Sequence, residues 1–153
     1  ALLVVGLAGI LFVGVTGSVA ALSSMIFPSQ SITEGIAKDF STTSNVLLRI
    51  RPLHPMLSVA TVVYLIFLSG WLRSWSGGNA NVTRWANILS IVALAQLLFG
   101  AATLLTLAPI VMQLGHLLLA DAIWISFVLL TASYLGANSP AEQPVAMAEM
   151  PLA

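Results

Sequence analysis

Residues 85–120 read WANILSIVALAQLLFGAATLLTLAPIVMQLGHLLLA, 36 positions without a charged side chain. A helix that crosses a bilayer needs about 20 predominantly apolar residues. The run is too long for one crossing and suits two. Ala108-Pro109 falls inside it. Proline removes a backbone donor and pushes the preceding residue out of the α region, so the run divides there. Working outward, 21 uncharged residues separate Arg51 from Arg73, 20 separate Asp121 from Glu142, and no charge precedes Glu34. This spacing predicts four membrane-spanning helices, at 2–26, 50–72, 85–107 and 110–136. The fold class expected is an all-α integral membrane protein, a four-helix bundle made of two pseudo-symmetric helical hairpins.

Composition agrees. Of 153 residues, 59% are hydrophobic and 7% charged, and the mean hydropathy is +1.03. A soluble domain carries about 25% charged residues, so these few cannot cover a water-exposed surface. That excludes a soluble enzyme and a disordered chain. Net charge is zero, so there is no basic face for nucleic acid. Cysteine is absent, which excludes disulfides, thiolate metal sites and cysteine nucleophiles.

The connections differ in character. Residues 27–49 form a long polar loop, in which Ser31 has the spacing to cap a short amphipathic helix through Phe40, with Glu34 at the capping-box position. The connection from Arg73 to Arg84 has two arginines and no acid, so it is placed inside. Trp71, Trp75, Trp85 and Tyr134 cluster at that interface. Both termini are then cytoplasmic, the long loop faces outward, and the chain is multi-pass in the cell membrane. The first apolar stretch is read as a span and not as a signal peptide, because no basic segment precedes it and it is longer than the usual signal core. Residues 137–153, with three prolines and two glutamates, read as a disordered polar tail.

There are two histidines, His54 and His116, each just inside the start of an even-numbered span. At 1.5 Å per residue both lie roughly 8–10 Å below the outer interface. Two imidazoles at one depth on parallel helices is an arrangement that holds a heme within a bundle, with imidazole as axial iron ligand. The alternatives are interhelical hydrogen bonding and a proton relay. Arg49 and Arg51, one turn outward of His54, are candidate clamps for heme propionates or simple markers of the membrane boundary. Gln96, Gly100 and Thr103 share one face of the third span. Glycine there lets a flat macrocycle, or a neighbouring helix, approach the backbone. Gln113, three residues before His116, is placed to orient the imidazole. Asp121 lies about 140° around the helix from His116, which points to an interhelical or intersubunit hydrogen bond. Leu11-Phe12-Val13-Gly14 resembles Leu97-Leu98-Phe99-Gly100, a faint repeat ahead of each histidine-bearing helix.

Taken in order, Thr16-Gly17-Ser18, Arg49-Ile50-Arg51-Pro52-Leu53-His54-Pro55, Gln96-x-x-x-Gly100-x-x-Thr103, Ala108-Pro109 and His116-Leu-Leu-Leu-Ala-Asp121-x-x-Trp124 resemble the heme A synthase family. The resemblance covers about residues 9–135. That family has eight helices in two four-helix halves, so this chain resembles a compact half-length form associated with archaea. The resemblance implies oxidation of a methyl group of heme O to a formyl group, giving heme A. It implies heme b or heme O as the bound porphyrin, with His54 and His116 on the iron. It implies a homo-oligomer, with a dimer matching the two-half form and a trimer as the alternative, and heme O synthase and a terminal oxidase as partners. The family's glutamate three residues before the first histidine is replaced by Arg51, which leaves Glu34 and Asp39 as candidate catalytic carboxylates. The alternative function is a bis-histidine heme b electron carrier in a quinone-linked respiratory enzyme.

Overall fold

The computed structural model describes residues 1–138. Among them the chain is helical throughout, in the order α1 (Leu2–Ile26), α2 (Ile32–Phe40), α3 (Val46–Ile50), α4 (Leu53–Trp75), α5 (Ala80–Leu105) and α6 (Ile110–Ala137). Four spans are long and apolar enough to cross a membrane: Leu2–Ile26, Val46–Trp75, Ala80–Leu105 and Ile110–Ala137. The surface fits that setting. Phe12 and Val15 on α1, Phe67 on α4, Ile91 on α5 and Leu118 on α6 are each more than 60% exposed, which only lipid makes favourable. The chain is an integral membrane protein.

The helices extend beyond the spans that charge spacing marks, because a helix does not stop where the bilayer does. Arg73 lies inside α4, which ends against Gly77 and Gly78, both at positive φ. Asn79 then starts α5, its side chain accepting from the Asn81 and Val82 amides. At the other end α4 begins at Leu53 and not at 50. Pro52 and Pro55 lack amide hydrogens, so the chain breaks between α3 and α4 and resumes with Pro52 as the N-cap. α6 runs through Ala137, capped by Asn138, whose Nδ2 donates to the Tyr134 carbonyl. The rest of the tail expected from 137 lies outside the described residues.

The turn between α5 and α6 is held under strain. Leu107 and Ala108 both sit in the left-handed region, at φ 61° and 54°, which costs about 1–2 kcal/mol per residue. Ala108 N–H donates to the Thr103 carbonyl at 2.8 Å, and Gln113 Nε2 donates to the Ala108 carbonyl at 2.6 Å. Pro109 then caps α6 in an extended conformation.

α4 packs between α1 and α5, and α6 packs against α5. The side between α1 and α6 is the thinnest. Their buried core is Val62, Leu65, Leu68 and Leu72 of α4, Val82, Ala86, Leu89 and Ala93 of α5, and Ile123, Phe127 and Leu130 of α6. Every one of these lies toward the α4–α5 turn. At that end Gly6 brings α1 close: a Cβ there would meet Phe127 Cε2 at 3.0 Å and Leu68 Cδ2 at 3.2 Å. Lipid tails are as apolar as leucine, so this core holds by contact and not by escape from water.

The loop end is organised by α2. Ser31 Oγ accepts from the Glu34 amide, and Glu34 Oε2 accepts from the Gln30 amide, one residue earlier than a standard capping box. Glu34 also pairs with Lys38 at 2.7 Å. Lys38 and the Gln30 amide hold the Glu34 carboxyl below its usual range. Ile32, Ile36 and Phe40 point outward at 43%, 53% and 74% exposure. The opposite face, with Gly35 and Asp39, lies on the bundle.

Candidate functional site

The two imidazoles meet at the loop end of the bundle. His54 begins α4 and His116 lies in the second turn of α6, and their ring centres are 6.3 Å apart with planes at 90°. α4 and α6 have few contacts with each other, so the rings face across the bundle between α1 and α5. Each imidazole is seated on a glycine. A Cβ on Gly17 of α1 would meet His54 Cε1 at 3.0 Å, and a Cβ on Gly100 of α5 would meet His116 Cε1 at 2.8 Å. Phe99 stacks on His116, 6.4 Å between centres and 9° between planes.

The two seats differ in their polar partners. Thr16 Oγ1 uses its one hydrogen on the Phe12 and Val13 carbonyls, at 3.0 and 3.1 Å. Toward His54 Nδ1, 3.4 Å away, it is therefore an acceptor. Nδ1 keeps the proton and Nε2 presents its lone pair. On the other side Gln96 Nε2 lies 3.3 Å from His116 Nε2. An amide nitrogen only donates, so the His116 lone pair is at Nε2. That leaves His116 Nδ1 and Gln96 Oε1 buried without partners. Exchanging the amide's oxygen and nitrogen moves the deficit without removing it.

Sequence-predicted residues separate into those at this centre and those elsewhere. His54, His116, Gln96 and Gly100 are brought together. Thr103 is buried but turns its hydroxyl onto the Phe99 carbonyl of its own helix. Gln113, expected to orient the imidazole, is taken by the Ala108 carbonyl of the strained turn. Arg51 is engaged by Asp39: Nε donates to Oδ1 at 2.9 Å and Nη2 lies 2.7 Å from the same oxygen. Its remaining donors reach the Gly35 carbonyl and Ser24 Oγ, so it latches α2 onto α1 and α4. Asp39 thus serves Arg51, Glu34 serves the α2 cap and Lys38, and neither carboxylate hydrogen-bonds an imidazole. Arg49 is exposed and makes no ion pair among the described residues. Asp121 is exposed on the side of α6 away from His116, with no partner within the described residues.

The sequence marks Gly9, Gly14, Thr16 and Gly17 as a small-residue surface of the first span, but not which of them meets an imidazole, and it gives no sign of the Phe99 contact. The faint repeat was the available signal, but its register is off by three residues. Gly14, paired with Gly100 by sequence, has nothing within 4 Å of its Cβ position, and Gly17 is the structural equivalent.

The donor set fits a heme better than a bare metal ion. No group of three or more His, Cys, Asp or Glu gathers among the described residues. A porphyrin supplies four nitrogens of its own and asks the protein for two axial ligands at most. The unpartnered His116 Nδ1 and Gln96 Oε1 lie at the glycine seats, while Ser69 Oγ and Thr131 Oγ1 are likewise unpartnered in the opposite half. A cleft of about 260 Å³ between α4 and α5, lined by Ser69, Arg73, Asn87 and Ser90, lies at the opposite end.

Residues 1–128 match the profile of the COX15-CtaA family, described as "cytochrome oxidase assembly protein". Two curated proteins from two strains of Thermus thermophilus, both named "protoheme IX farnesyltransferase", are 38% and 37% identical over 133 residues. Those residues are 87% of this chain and 22% of each relative, so the chain spans about a fifth of their length. No solved structure matches.

Proposed function

The chain belongs to the COX15-CtaA family of cytochrome oxidase assembly proteins, and from that premise we propose that it is a heme A synthase, oxidising a methyl group of heme O to a formyl group. The observation that carries the reading is the pair of imidazoles on facing helices, each seated on a glycine, 6.3 Å apart. Converting methyl to formyl removes four electrons and adds one oxygen atom. A chain with no cysteine, and no protein metal cluster among its described residues, needs a bound redox group for that. A bound iron porphyrin would supply that redox centre, with the oxygen atom taken from water and the four electrons and four protons passed to an external oxidant.

The chain's own residues position the porphyrin. Thr16 keeps the proton of His54 on Nδ1 and so aims the Nε2 lone pair into the bundle. Gln96 shields the Nε2 lone pair of His116 until a ligand displaces the amide. Arg49, free of any ion pair among the described residues, takes the propionate role more readily than Arg51. The histidine end faces outward across the cell membrane, with both termini in the cytoplasm. The name of the Thermus proteins attaches farnesyl transfer onto protoheme IX to chains that include a segment like this one. That name suits a farnesylated heme as substrate, supplied by a heme O synthase partner and passed on to a terminal oxidase.

One observation favours a second reading. With Glu34 and Asp39 both paired, no free carboxylate among the described residues stands beside the imidazoles, as suits a heme b electron carrier. Pigment extraction after co-expression with a heme O source separates the two. A synthase yields heme A, or heme O beside heme B. Heme B alone overturns the synthase reading.

A further inference from the structure

At the end opposite the histidines, α4 and α5 leave a gap beside Gly70, which has nothing within 4 Å of its Cβ position. The gap is the cleft of about 260 Å³, and its polar lining is graded with depth. Arg73 and Asn87 form the rim, joined by a bond from Arg73 Nη1 to Asn87 Oδ1 at 3.0 Å. At 1.5 Å per residue, Ser69 and Ser90 lie about 6 and 4.5 Å deeper, and Ile66 about 10 Å deeper. The rim is rich in donors and short of acceptors. Arg73 makes no ion pair among the described residues, and Asn87, whose oxygen serves Arg73, keeps Nδ2 without a partner among them. Ser69 is 1% exposed and its hydroxyl has no partner. Ser58 in the same helix and Ser90 across the cleft donate to the carbonyls four residues back, of His54 and Ala86; Ser69 does not. A buried hydroxyl is rarely left unbonded. A boundary arginine accounts for Arg73 alone, but for neither the hydroxyl nor the gap.

We propose that this cleft binds the headgroup of an anionic phospholipid. Its phosphodiester sits on Arg73 and Asn87 Nδ2, its ester-linked glycerol lies beside Ser69, and an acyl chain follows Ile66, 39% exposed, into the bilayer. Charge points to that ligand. A guanidinium fork and an amide nitrogen are donors, so the ligand is an acceptor and an anion. No acid among the described residues stands at this end, where Arg84 adds a second cation. A zwitterionic lipid would bring its own cation into that uncompensated field. Basic pockets between spans near a membrane surface take anionic headgroups for this reason. Shape agrees. The volume is below the roughly 300–1,000 Å³ of a small-molecule pocket, and the deep end is apolar, as suits a headgroup whose chains stay in lipid. Ser69 Oγ then donates to an ester carbonyl, at the depth where the lipid carries one. The inference rests on the membrane fold and does not depend on the porphyrin reading.

Native mass spectrometry of the full chain tests this. The chain is reconstituted in vesicles of equal phosphatidylglycerol and phosphatidylcholine, then extracted in mild detergent. One phosphatidylglycerol per chain stays bound and phosphatidylcholine is lost. Arg73→Gln lowers retention about five-fold, the weight of one cation at an anionic membrane surface. Arg84→Gln removes an equal charge outside the cleft, where the guanidinium lies 5.7 Å from the Trp85 ring centre, and leaves retention intact. Gly70→Leu keeps every charge but fills the open space, so it also releases the lipid. Leucine for glycine in a helix favours folding, and far-UV helicity read on each variant separates a blocked cleft from a misfolded chain. Ser69→Ala lowers retention about three-fold, the weight of one hydrogen bond. Inorganic phosphate added to the lipid-free chain gives no adduct. The proposal is overturned by equal retention of the two lipids, by equal losses in Arg73→Gln and Arg84→Gln, by full retention in folded Gly70→Leu, or by a phosphate adduct that displaces the lipid and so marks a site for a free anion.

Discussion

The two ends of the bundle solve opposite problems with the same four helices. Toward the α4–α5 turn, eleven apolar side chains interlock, and Leu65, Leu68, Leu72, Leu89 and Leu130 have at most 1% exposure. Toward the loop, the corresponding space holds two imidazoles resting on glycines, an amide with an unpaired oxygen and a ring nitrogen without a partner. One end is dominated by close apolar packing, with Ser69 Oγ and Thr131 Oγ1 as its unpartnered polar atoms, and the other gathers unpartnered groups around two imidazoles. Stability concentrated in one half permits an unsatisfied site in the other, because a close-packed core fixes helix positions along their whole length. α2 is latched at the histidine end of the bundle by the Arg51–Asp39 pair.

The comparison can be broken from either side. The largest effect is expected at the ligands. His54→Ala or His116→Ala abolishes low-spin heme in the visible spectrum while leaving far-UV helicity unchanged, and normal heme content in both variants defeats the ligand assignment. Next come the glycine seats. Gly100→Val places new atoms where a Cβ alone is already 2.8 Å from His116 Cε1, so heme retention falls by about ten-fold or more, whereas Gly14→Val, with open space around it, leaves retention intact. Equal behaviour of the two variants would remove the distinction between seat and surface. In the packed half the expectation reverses. Leu65→Ala lowers unfolding stability by about 2 kcal/mol with little change in the heme spectrum. Arg51→Ala frees α2, seen as faster proteolysis between 27 and 49 and weaker heme retention than in Lys38→Ala. The smallest effect is at Glu34, at the surface, whose carboxyl is held below its ordinary value of 4.5 mainly by Lys38. A depressed carboxylate contributes stability above the unfolded pKa and loses it as pH falls through the folded one. Melting of α2 below about pH 4.5 should therefore become less pH-dependent in Glu34→Gln, and an unchanged profile would show that the pair contributes nothing.

Much of this is legible in sequence, for physical reasons that differ by residue. Charges are so costly in lipid that their spacing marks the spans almost by itself, and Pro109 divides the long run because its ring forbids the helix to continue. The depth of the histidines follows from counting at a fixed rise per residue. Rotation of one helix about its axis relative to another does not, since it depends on side-chain fit between segments far apart in the chain. That is why the faint repeat pairs Gly14 with Gly100 where the structure uses Gly17, and why the contacts of Thr16 and Phe99 emerge only in three dimensions. Proximity along the chain assigns Gln113 and Arg51 to the porphyrin, whereas the structure gives them nearer partners: the strained carbonyl of Ala108 and the carboxylate of Asp39. A polar side chain near a site is not in it until its competing partners are counted.

The account turns on both imidazoles of one chain sharing one iron. Electron paramagnetic resonance of the purified chain, with iron and protein quantified in the same sample, tests this most directly. The account predicts a low-spin bis-imidazole signal at one heme per chain. A high-spin five-coordinate signal would contradict it, as would one low-spin heme for every two chains, since each iron would then join two different molecules.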